Sequence, residues 1–221
     1  VSSSPHFHAD EDVKRIMLTV VLALLPACAA GFFFFGLPAV RVAAVSILAC
    51  LAFEALFCKW LDRPLALRDG SALVTGVLLA LNLSAATPWR VCVIGAFLAI
   101  GLGKQIYGGL GYNPFNPVLV ARVGLLIAFP KLMTTWVPTR LMTHDSVTAA
   151  TTTATPLYAV AAGTGTGKQY LDYFLGNIGG CIGETSALAL LIGGALLIAV
   201  RVIRWHIPVA FLGTVAVITG I

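Results

Sequence analysis

Long apolar segments joined by short connections run through most of this chain. They cover residues 16–35, 42–57, 71–85, 89–103, 114–129 and 186–203, and another opens at His206. Apolar residues make up 59% of the sequence and charged residues only 10%, which lies far outside the usage of soluble proteins. The pattern predicts an all-α, polytopic membrane protein, a helical bundle embedded in the lipid bilayer.

The first segment is expected to remain as a membrane span. It is too long for the apolar part of a signal peptide, and Asp10, Glu11 and Asp12 precede it. The segments 71–85 and 89–103 have 15 residues each. At about 1.5 Å per residue they reach roughly 22 Å, less than the roughly 30 Å of a hydrocarbon core. We therefore expect short, tilted, broken or re-entrant helices whose ends are covered by protein.

The basic residues stand at the ends of apolar segments, so the net charge of +5 indicates membrane topology rather than nucleic-acid binding. With the N-terminus inside, one side collects Lys14, Arg15, Lys59, Arg63, Arg68, Lys104, Arg201 and Arg204. The opposite turns hold only Arg41 and Arg90. The bias predicts a multi-pass protein of the cell inner (cytoplasmic) membrane with a cytoplasmic N-terminus. If both short segments cross, the polar stretch 131–169 lies on the outer face.

Two helix starts share one pattern, Asp69-Gly-Ser-Ala-Leu and Glu184-Thr-Ser-Ala-Leu. An acid and a hydroxyl at a helix start can serve as caps, or two such half-helices can shape a ligand or ion site in an inverted repeat. We predict a single membrane domain over 1–221, with a first repeat at about 14–130 and an outer loop at about 131–175. Residues from about 176 to 221 then form the start of a second repeat, whose C-terminal spans are expected to be missing.

A run of threonines, alanines and one proline, residues 145–157, interrupts the apolar pattern. Its hydroxyls could accept a covalent modification, and its small residues leave room for a bulky group beside them. Such composition is also typical of a plain linker. The residues alone leave both interpretations open.

Ionisable and glycine-rich positions supply further candidates. Glu54 lies inside the second apolar segment, where a charge is costly, and Arg122 in the fifth could pair with an acid. A structural pair and a role with a coupling ion are both consistent with these positions. The glycine-rich stretch 108–117 predicts either a turn between packed helices or a helix break that a cofactor or ion could use.

No metal site is predicted. His6 and His8 stand without further ligands at metal spacing, so a docking contact to another subunit is the better interpretation. The cysteines form no Cys-x-x-Cys pair, and apolar packing is their expected role. A cluster completed by a neighbouring subunit is the alternative for Cys28, Cys92 or Cys181.

Several separated motifs agree with one known family. The chain resembles the family of the D subunit of the Rnf complex, a membrane-bound ferredoxin:NAD oxidoreductase, and of the B subunit of sodium-translocating NADH:quinone oxidoreductase. The resemblance rests on Ser-Pro-His-Phe-His at 4–8, Asp-Gly-Ser-Ala-Leu-Val-Thr-Gly at 69–76, Gly-Gly-Leu-Gly-Tyr-Asn-Pro-Phe-Asn-Pro at 108–117, Ala-Thr-Pro-Leu at 154–157, Gly-Asn-Ile-Gly-Gly-Cys-Ile-Gly-Glu-Thr-Ser at 176–186 and Arg-Trp-His-Ile-Pro at 204–208.

The resemblance implies that a threonine hydroxyl is joined to FMN by a phosphoester. The family pattern, Asp-x-x-Ser/Thr-x-Ala-Thr-Pro-Leu, is split here. Thr155 matches its Pro-Leu end but has Ala149 where the acid belongs, whereas Thr151 matches the end that begins at Asp145. Thr155 is the preferred attachment residue, and Thr151 is its rival because the acid matters to the flavin transferase of the family.

The implied function is that of a redox subunit without catalytic residues of its own. It would carry electrons through covalent FMN within a multi-subunit, ion-translocating complex, with sodium ion or proton as the coupling ion. A second, non-covalent riboflavin is known in the quinone-reducing relatives, and no residue assigns one here. The alternative is a channel or transporter for a small solute or ion with no redox cofactor.

Overall fold

The computed structural model of the protein describes residues 13–63, 66–140 and 169–219. Its helices are α1 (Val13–Phe35), α2 (Leu37–Trp60), α3 (Ser71–Leu81), α4 (Trp89–Phe97), α5 (Pro117–Ala128), α6 (Pro130–Met133), α7 (Gln169–Leu175), α8 (Ala187–Ala199) and α9 (His206–Thr219). A 3₁₀ turn at Ala66–Asp69 precedes α3, and a π-helical segment at Leu98–Gln105 continues α4. These ranges contain no strand, which confirms the all-α prediction.

Helices α1 and α2 are long and apolar enough to cross a bilayer, with 23 and 24 residues. They form a hairpin in which Gly36 alone separates them. Its φ of 67° lies in the left-handed region that glycine adopts without strain. Pro38 follows within the first turn of α2, where a missing amide hydrogen costs nothing.

The other apolar helices of the described ranges are shorter. Helix α3 has 11 residues, about 16 Å, and ends at Leu81 rather than at the end of the apolar segment 71–85. Asn82 is its C-cap, and the Asn82 side-chain amide donates to the Leu78 carbonyl at 2.8 Å. The apolar pattern misses this end because Leu83, beyond the helix, is as buried as the helix itself.

Helix α3 lies at the centre of the bundle and packs against α1, α2, α4 and α5. Small side chains let the backbones approach closely, as they do between membrane helices. The fully buried positions include Ala39, Ala72, Ala96, Ala99 and Ala121, whereas large apolar residues such as Leu22, Phe33, Leu48, Val123 and Ile127 face outward. Small side chains inside and large apolar side chains on the surface are typical of a protein surrounded by lipid.

The two acid-Ser-Ala-Leu starts both precede helices, but they cap them differently. The Asp69 carboxylate accepts from the Ser71 amide at 2.8 Å at the start of α3. At α8 the Ser186 hydroxyl, not the acid, accepts from the Ala189 amide at 3.3 Å. The capping interpretation is therefore confirmed for both starts, while the boundaries of the repeats stay a prediction.

The contact between α1 and α8 yields a test of this packing. A methyl group added at Gly193 would overlap the Ala23 carbonyl oxygen, whereas one added at the adjacent Gly194 meets nothing within 4 Å. We expect Gly193→Ala to lower the thermal unfolding midpoint of the detergent-solubilised protein, since overpacking costs about 1–3 kcal/mol. Gly194→Ala is the matched control and should leave the midpoint unchanged or raise it, because alanine favours helix. Equal midpoints for the two variants would contradict the close α1–α8 approach.

Candidate functional site

A buried ion pair lies in the middle of the bundle. Lys104 Nζ and Glu54 Oε1 are 2.6 Å apart, and the side chains are only 2% and 0% exposed. Glu54 comes from α2 and Lys104 from the π-helical segment that continues α4. Wide helical turns of this kind are rare and are found often at functional sites. The structural pair expected for Glu54 therefore exists, and Lys104 is its partner.

A chain of hydrogen bonds extends this pair towards the protein surface. Lys104 Nζ also donates to Ser71 Oγ at 2.7 Å, and that hydroxyl donates to Asp69 Oδ1 at 2.7 Å. Asp69 is partly exposed, whereas Glu54 is not. Ser71 and Lys104 thus connect a half-buried carboxylate, Asp69, to a fully buried one, Glu54.

The pair is incompletely satisfied. Glu54 Oε2 is buried and has no hydrogen-bond partner among the residues that the structure describes. Burying two charges costs several kcal/mol per ion, and the cost is offset only when the remaining lone pairs are also bonded. A pair of well-packed apolar residues would be the more stable choice. The pair is therefore weak evidence for stability and marks a candidate functional position in a membrane bundle.

A cavity of about 230 Å³ opens beside Lys104. Its polar lining consists of Ser71, Thr75, Lys104, Asn113 and Asn116. The two asparagines belong to the glycine-rich stretch 108–117, whose Gly108, Gly109 and Gly111 have positive φ values of 119°, 99° and 90°. Asn116 caps α5 by accepting from the Val118 amide at 2.9 Å. The predicted turn is confirmed, and it also brings amide groups to the cavity that the lysine lines.

A second polar feature joins the end of α3 to the chain before α8. The amides of Ile182 and Gly183 donate to the carbonyls of Leu83 and Leu81 at 3.0 and 2.9 Å. We call residues 81–83 and 181–183 the broken-helix junction. Because α3 is about 16 Å long, this junction lies well away from Asp69, so the two acid-Ser-Ala-Leu starts do not share a site.

Arg122 of α5 holds the junction together. Its guanidinium donates to the Asn82 carbonyl and contacts Cys181 Sγ at 3.2 Å. The Cys181 amide in turn donates to Glu184 Oε1 at 3.1 Å. Among the described residues the hydrogen-bond partners of Arg122 are a carbonyl and a thiol, so its pairing with an acid stays a prediction.

The threonine run lies outside the described residues, as do Thr151, Thr155, His6 and His8. Its flanks are nevertheless defined. The Thr139 hydroxyl donates to the Asn177 side-chain carbonyl. Gly176 lies against Phe34 near the end of α1, because an added methyl there would be 2.9 Å from the Phe34 ring. Both ends of the polar segment therefore meet at the end of the bundle where α1 passes into α2.

Lys104 and the cysteines differ in how far the structure agrees with their predicted roles. Lys104 is buried, so it does not contribute to the charge bias between the two faces of the membrane. Its position within an apolar run is the sequence signal that could have predicted a buried lysine. The five cysteines are free, four of them buried and Cys28 partly so. Within the described ranges no group of histidines, cysteines and acids could hold a metal ion.

The comparisons with known proteins agree with the motifs. A family model described as NQR2, RnfD, RnfE matches residues 1–221. The chain belongs to this family. Among its relatives is the D subunit of the Na(+)-translocating ferredoxin:NAD(+) oxidoreductase complex of Acetobacterium woodii, which is 46% identical over 98% of this chain and 67% of its own length.

Two further family members extend the match. The D subunit of the proton-translocating ferredoxin:NAD(+) oxidoreductase complex of Clostridium ljungdahlii is 41% identical over 99% of this chain and 68% of its own length. The D subunit of the ion-translocating oxidoreductase complex of Stutzerimonas stutzeri is 42% identical, with 95% and 67% covered. The chain thus spans about two thirds of the length of these relatives. The resemblance inferred from the motifs is confirmed.

The ion pair of this family member can be tested by a double-mutant cycle. Lys104→Met leaves the Glu54 carboxylate buried without its cation, and we expect a loss of about 3–5 kcal/mol of stability. Glu54→Gln in the same background removes the orphaned charge and should recover part of that loss. The measurement is the thermal unfolding midpoint of the solubilised protein. Additive effects of the two substitutions would contradict direct pairing.

Arg122 offers a separate test. We expect Arg122→Gln to loosen the broken-helix junction and to speed maleimide labelling of Cys181, which is 2% exposed in the intact protein. Labelling is followed by mass spectrometry of the Cys181 peptide. Cys92, 0% exposed and remote from the junction in sequence, is the internal control. Faster labelling of both cysteines would indicate general unfolding instead of a local effect.

Proposed function

We propose that this chain is the membrane subunit of an ion-translocating electron-transport complex of the ferredoxin:NAD oxidoreductase type. The observation that carries the proposal is the match along nearly the whole chain to relatives named as the D subunit of such complexes. Other subunits of the complex are then its partners. The chain itself acts as a redox carrier and needs no catalytic residue.

FMN is the electron carrier of this proposal, joined by a phosphoester to Thr155 or Thr151 by a separate flavin transferase. When bound, the flavin supplies one- and two-electron chemistry, and the protein sets its position and potential. The bond between Thr139 and Asn177 supports this role. It brings both ends of the threonine-bearing segment to one place on the bundle, so a tethered group stays at high local concentration there.

The proposed orientation follows from the same geometry. Lys14 and Arg15 stand at the start of α1, and the flanks of the threonine segment meet near its end at Phe34. Since α1 is long enough to span the bilayer, the two features lie on opposite faces. Basic residues favour the cytoplasm. The flavin-bearing loop of this multi-pass protein therefore faces outward from the inner membrane, and the N-terminus faces the cytoplasm.

The coupling ion is sodium ion or proton. The relatives' names include both. Either ion can use the hydrogen-bonded side chains of Asp69, Ser71, Lys104 and Glu54. The two carboxylates can bind a cation, and the four linked side chains can relay a proton. An incompletely bonded carboxylate such as Glu54 is suited to change its partner during turnover.

A non-covalent riboflavin is the second cofactor of the proposal. At about 230 Å³ the cavity beside Lys104 is smaller than the roughly 300–1,000 Å³ of small-molecule sites, so it would hold only part of the flavin, between the amides of Asn113 and Asn116 and the apolar side chains of Val74 and Leu78. A flavin ring presents the same combination of polar edge and apolar face. Riboflavin bound there would be released on denaturation, whereas esterified FMN would stay with the chain.

The attachment of FMN is tested on the chain produced together with a flavin transferase. After denaturing electrophoresis we expect ultraviolet fluorescence on the band, lost in Thr155→Ala and kept in Thr151→Ala. Thr153→Ala is the matched control from the same run and should keep it. Flavin in the supernatant after acid precipitation reports the non-covalent riboflavin.

The opposite result identifies the rival residue. Loss of fluorescence in Thr151→Ala alone would place the flavin on Thr151. A dark band for the unsubstituted chain, with an active transferase present, would contradict the flavin proposal. The buried polar side chains of Ser71, Lys104 and Glu54 would then favour a channel or transporter for a small solute or ion.

A further inference from the structure

A cavity of about 570 Å³ lies at the turn between α8 and α9. The residues that line it are Ile198, Arg201, Ile203, Arg204, Trp205 and His206. No acidic side chain is among these described lining residues, so the cavity carries positive charge. Its volume falls within the roughly 300–1,000 Å³ of small-molecule sites. It is a basic site separate from the buried ion pair and from the threonine run.

The turn lies at the end of the bundle where α1 begins. Gly31 of α1 lies against Ile182, which comes shortly before α8. Gly193 within α8 lies against Ala23, about two helical turns nearer to the start of α1. The two helices are therefore antiparallel. From the contact at Ala23, α1 extends about 15 Å back to its first residue and α8 about 9 Å on to its last. The cavity thus lies on the same face of the membrane as the basic start of α1, at the level of the lipid headgroups.

Two guanidinium groups are available in this cavity. Arg201 and Arg204 are both exposed. Within the part of the chain that the structure describes, no hydrogen bond or ion pair involves either guanidinium group. Each group presents its N–H donors to the cavity without a carboxylate that would compete for them. An anion that enters the cavity therefore meets two cations that it does not have to separate from a partner.

The backbone at Arg201 is a second observation. Its φ of 60° lies in the left-handed region that favours glycine. The residue ends α8, where its amide donates to the Ile198 carbonyl at 3.0 Å. Glycine is the usual residue at such a helix end because it adopts this conformation without strain. The turn itself therefore gives no reason for an arginine at this position, whereas a ligand of the guanidinium group would.

Aromatic and apolar side chains surround the two arginines. The rings of Trp205 and His206 are stacked, with centroids 3.9 Å apart and planes 30° apart. Tryptophan is enriched at the membrane–water interface, where its ring lies among the headgroups. Ile198 and Ile203 add apolar surface to the lining. The cavity therefore combines cations with an apolar wall, which matches a phosphate group attached to glycerol and acyl chains.

We propose that Arg201 and Arg204 bind the phosphate group of an anionic phospholipid. Guanidinium binds phosphate through two parallel N–H···O bonds, and basic pockets at the headgroup level of membrane proteins hold anionic lipids. A zwitterionic headgroup also brings an ammonium group, which the two guanidiniums repel and which no acid of the described lining offsets. The site therefore prefers a headgroup with net negative charge. This inference goes beyond the proposed function and does not depend on the flavin.

The test measures lipid binding to the full-length protein in detergent by native mass spectrometry. The probe is phosphatidylglycerol, and phosphatidylethanolamine with the same acyl chains is the zwitterionic comparison. The cavity variant is Arg201→Gln with Arg204→Gln. The matched control is Arg15→Gln with Lys59→Gln, which removes the same charge from the same end of the bundle. Both control residues are exposed, one near the start of α1 and one near the end of α2, and neither lines the cavity.

We expect the unsubstituted protein to prefer phosphatidylglycerol, and the cavity variant to bind it about tenfold more weakly because two basic contacts to the lipid are lost. The control variant should stay within about twofold, since exposed charges outside the site contribute little. Arg201→Lys with Arg204→Lys keeps the charge but not the two-pronged geometry, and should give an intermediate affinity. The thermal unfolding midpoint shows whether each variant is folded. The lysine variant provides the comparison if the glutamine variant unfolds or fails to insert.

Three results would overturn the lipid site. Unchanged phosphatidylglycerol binding in the cavity variant would show that the arginines do not contact the lipid. Equal weakening in the cavity and control variants would show a general attraction between charges. Displacement of the lipid by an equal concentration of glycerophosphoglycerol, the same headgroup without acyl chains, would assign the site to a soluble phosphate. None of these measurements requires bound flavin, so a dark gel in the flavin test leaves this inference unaffected.

Discussion

The structure depends on satisfying backbone groups where water is absent. Helix α3 ends in the interior of the bundle, and the carbonyls of Leu81 and Leu83 would be costly if left unbonded there. The amides of Ile182 and Gly183, nearly a hundred residues further on, supply the missing partners. Arg122 closes the remaining gap at Asn82. A short helix in this membrane protein is therefore possible only because a distant segment completes it.

The same requirement explains the position of the ion pair. Glu54 and Lys104 are both buried, and their ion pair joins α2 to the π-helical segment that continues α4. The π-helical turn places Lys104 within reach of both Glu54 and Ser71. Together with Asp69 they form a polar chain through an otherwise apolar core. These hydrogen-bonded side chains lie near the start of α3, while the broken-helix junction lies at its other end, so α3 separates the two regions.

A third region is the cavity lined by Arg41 and Arg140, which lies at the end of α1 opposite to Lys14 and Arg15. Both arginine side chains are exposed. The fold therefore holds charge in two different ways. In the core a cation is matched by a buried carboxylate, whereas at this end of the bundle the arginine side chains are exposed.

The sequence by itself determined the class of fold, the family and the approximate positions of the spans, because apolar composition and helix length follow directly from the thickness of a bilayer. It also identified Glu54 as a costly buried charge. It did not identify Lys104 as the partner, placed the end of α3 too late and did not find the carbonyl and the thiol that Arg122 contacts. These features depend on contacts between residues 40 to 100 positions apart, and local pattern carries no information on such contacts. Only the tertiary structure decided them, since each buried polar group took whichever partner the packing of α2, α3, α5 and the chain before α8 brought within bonding distance.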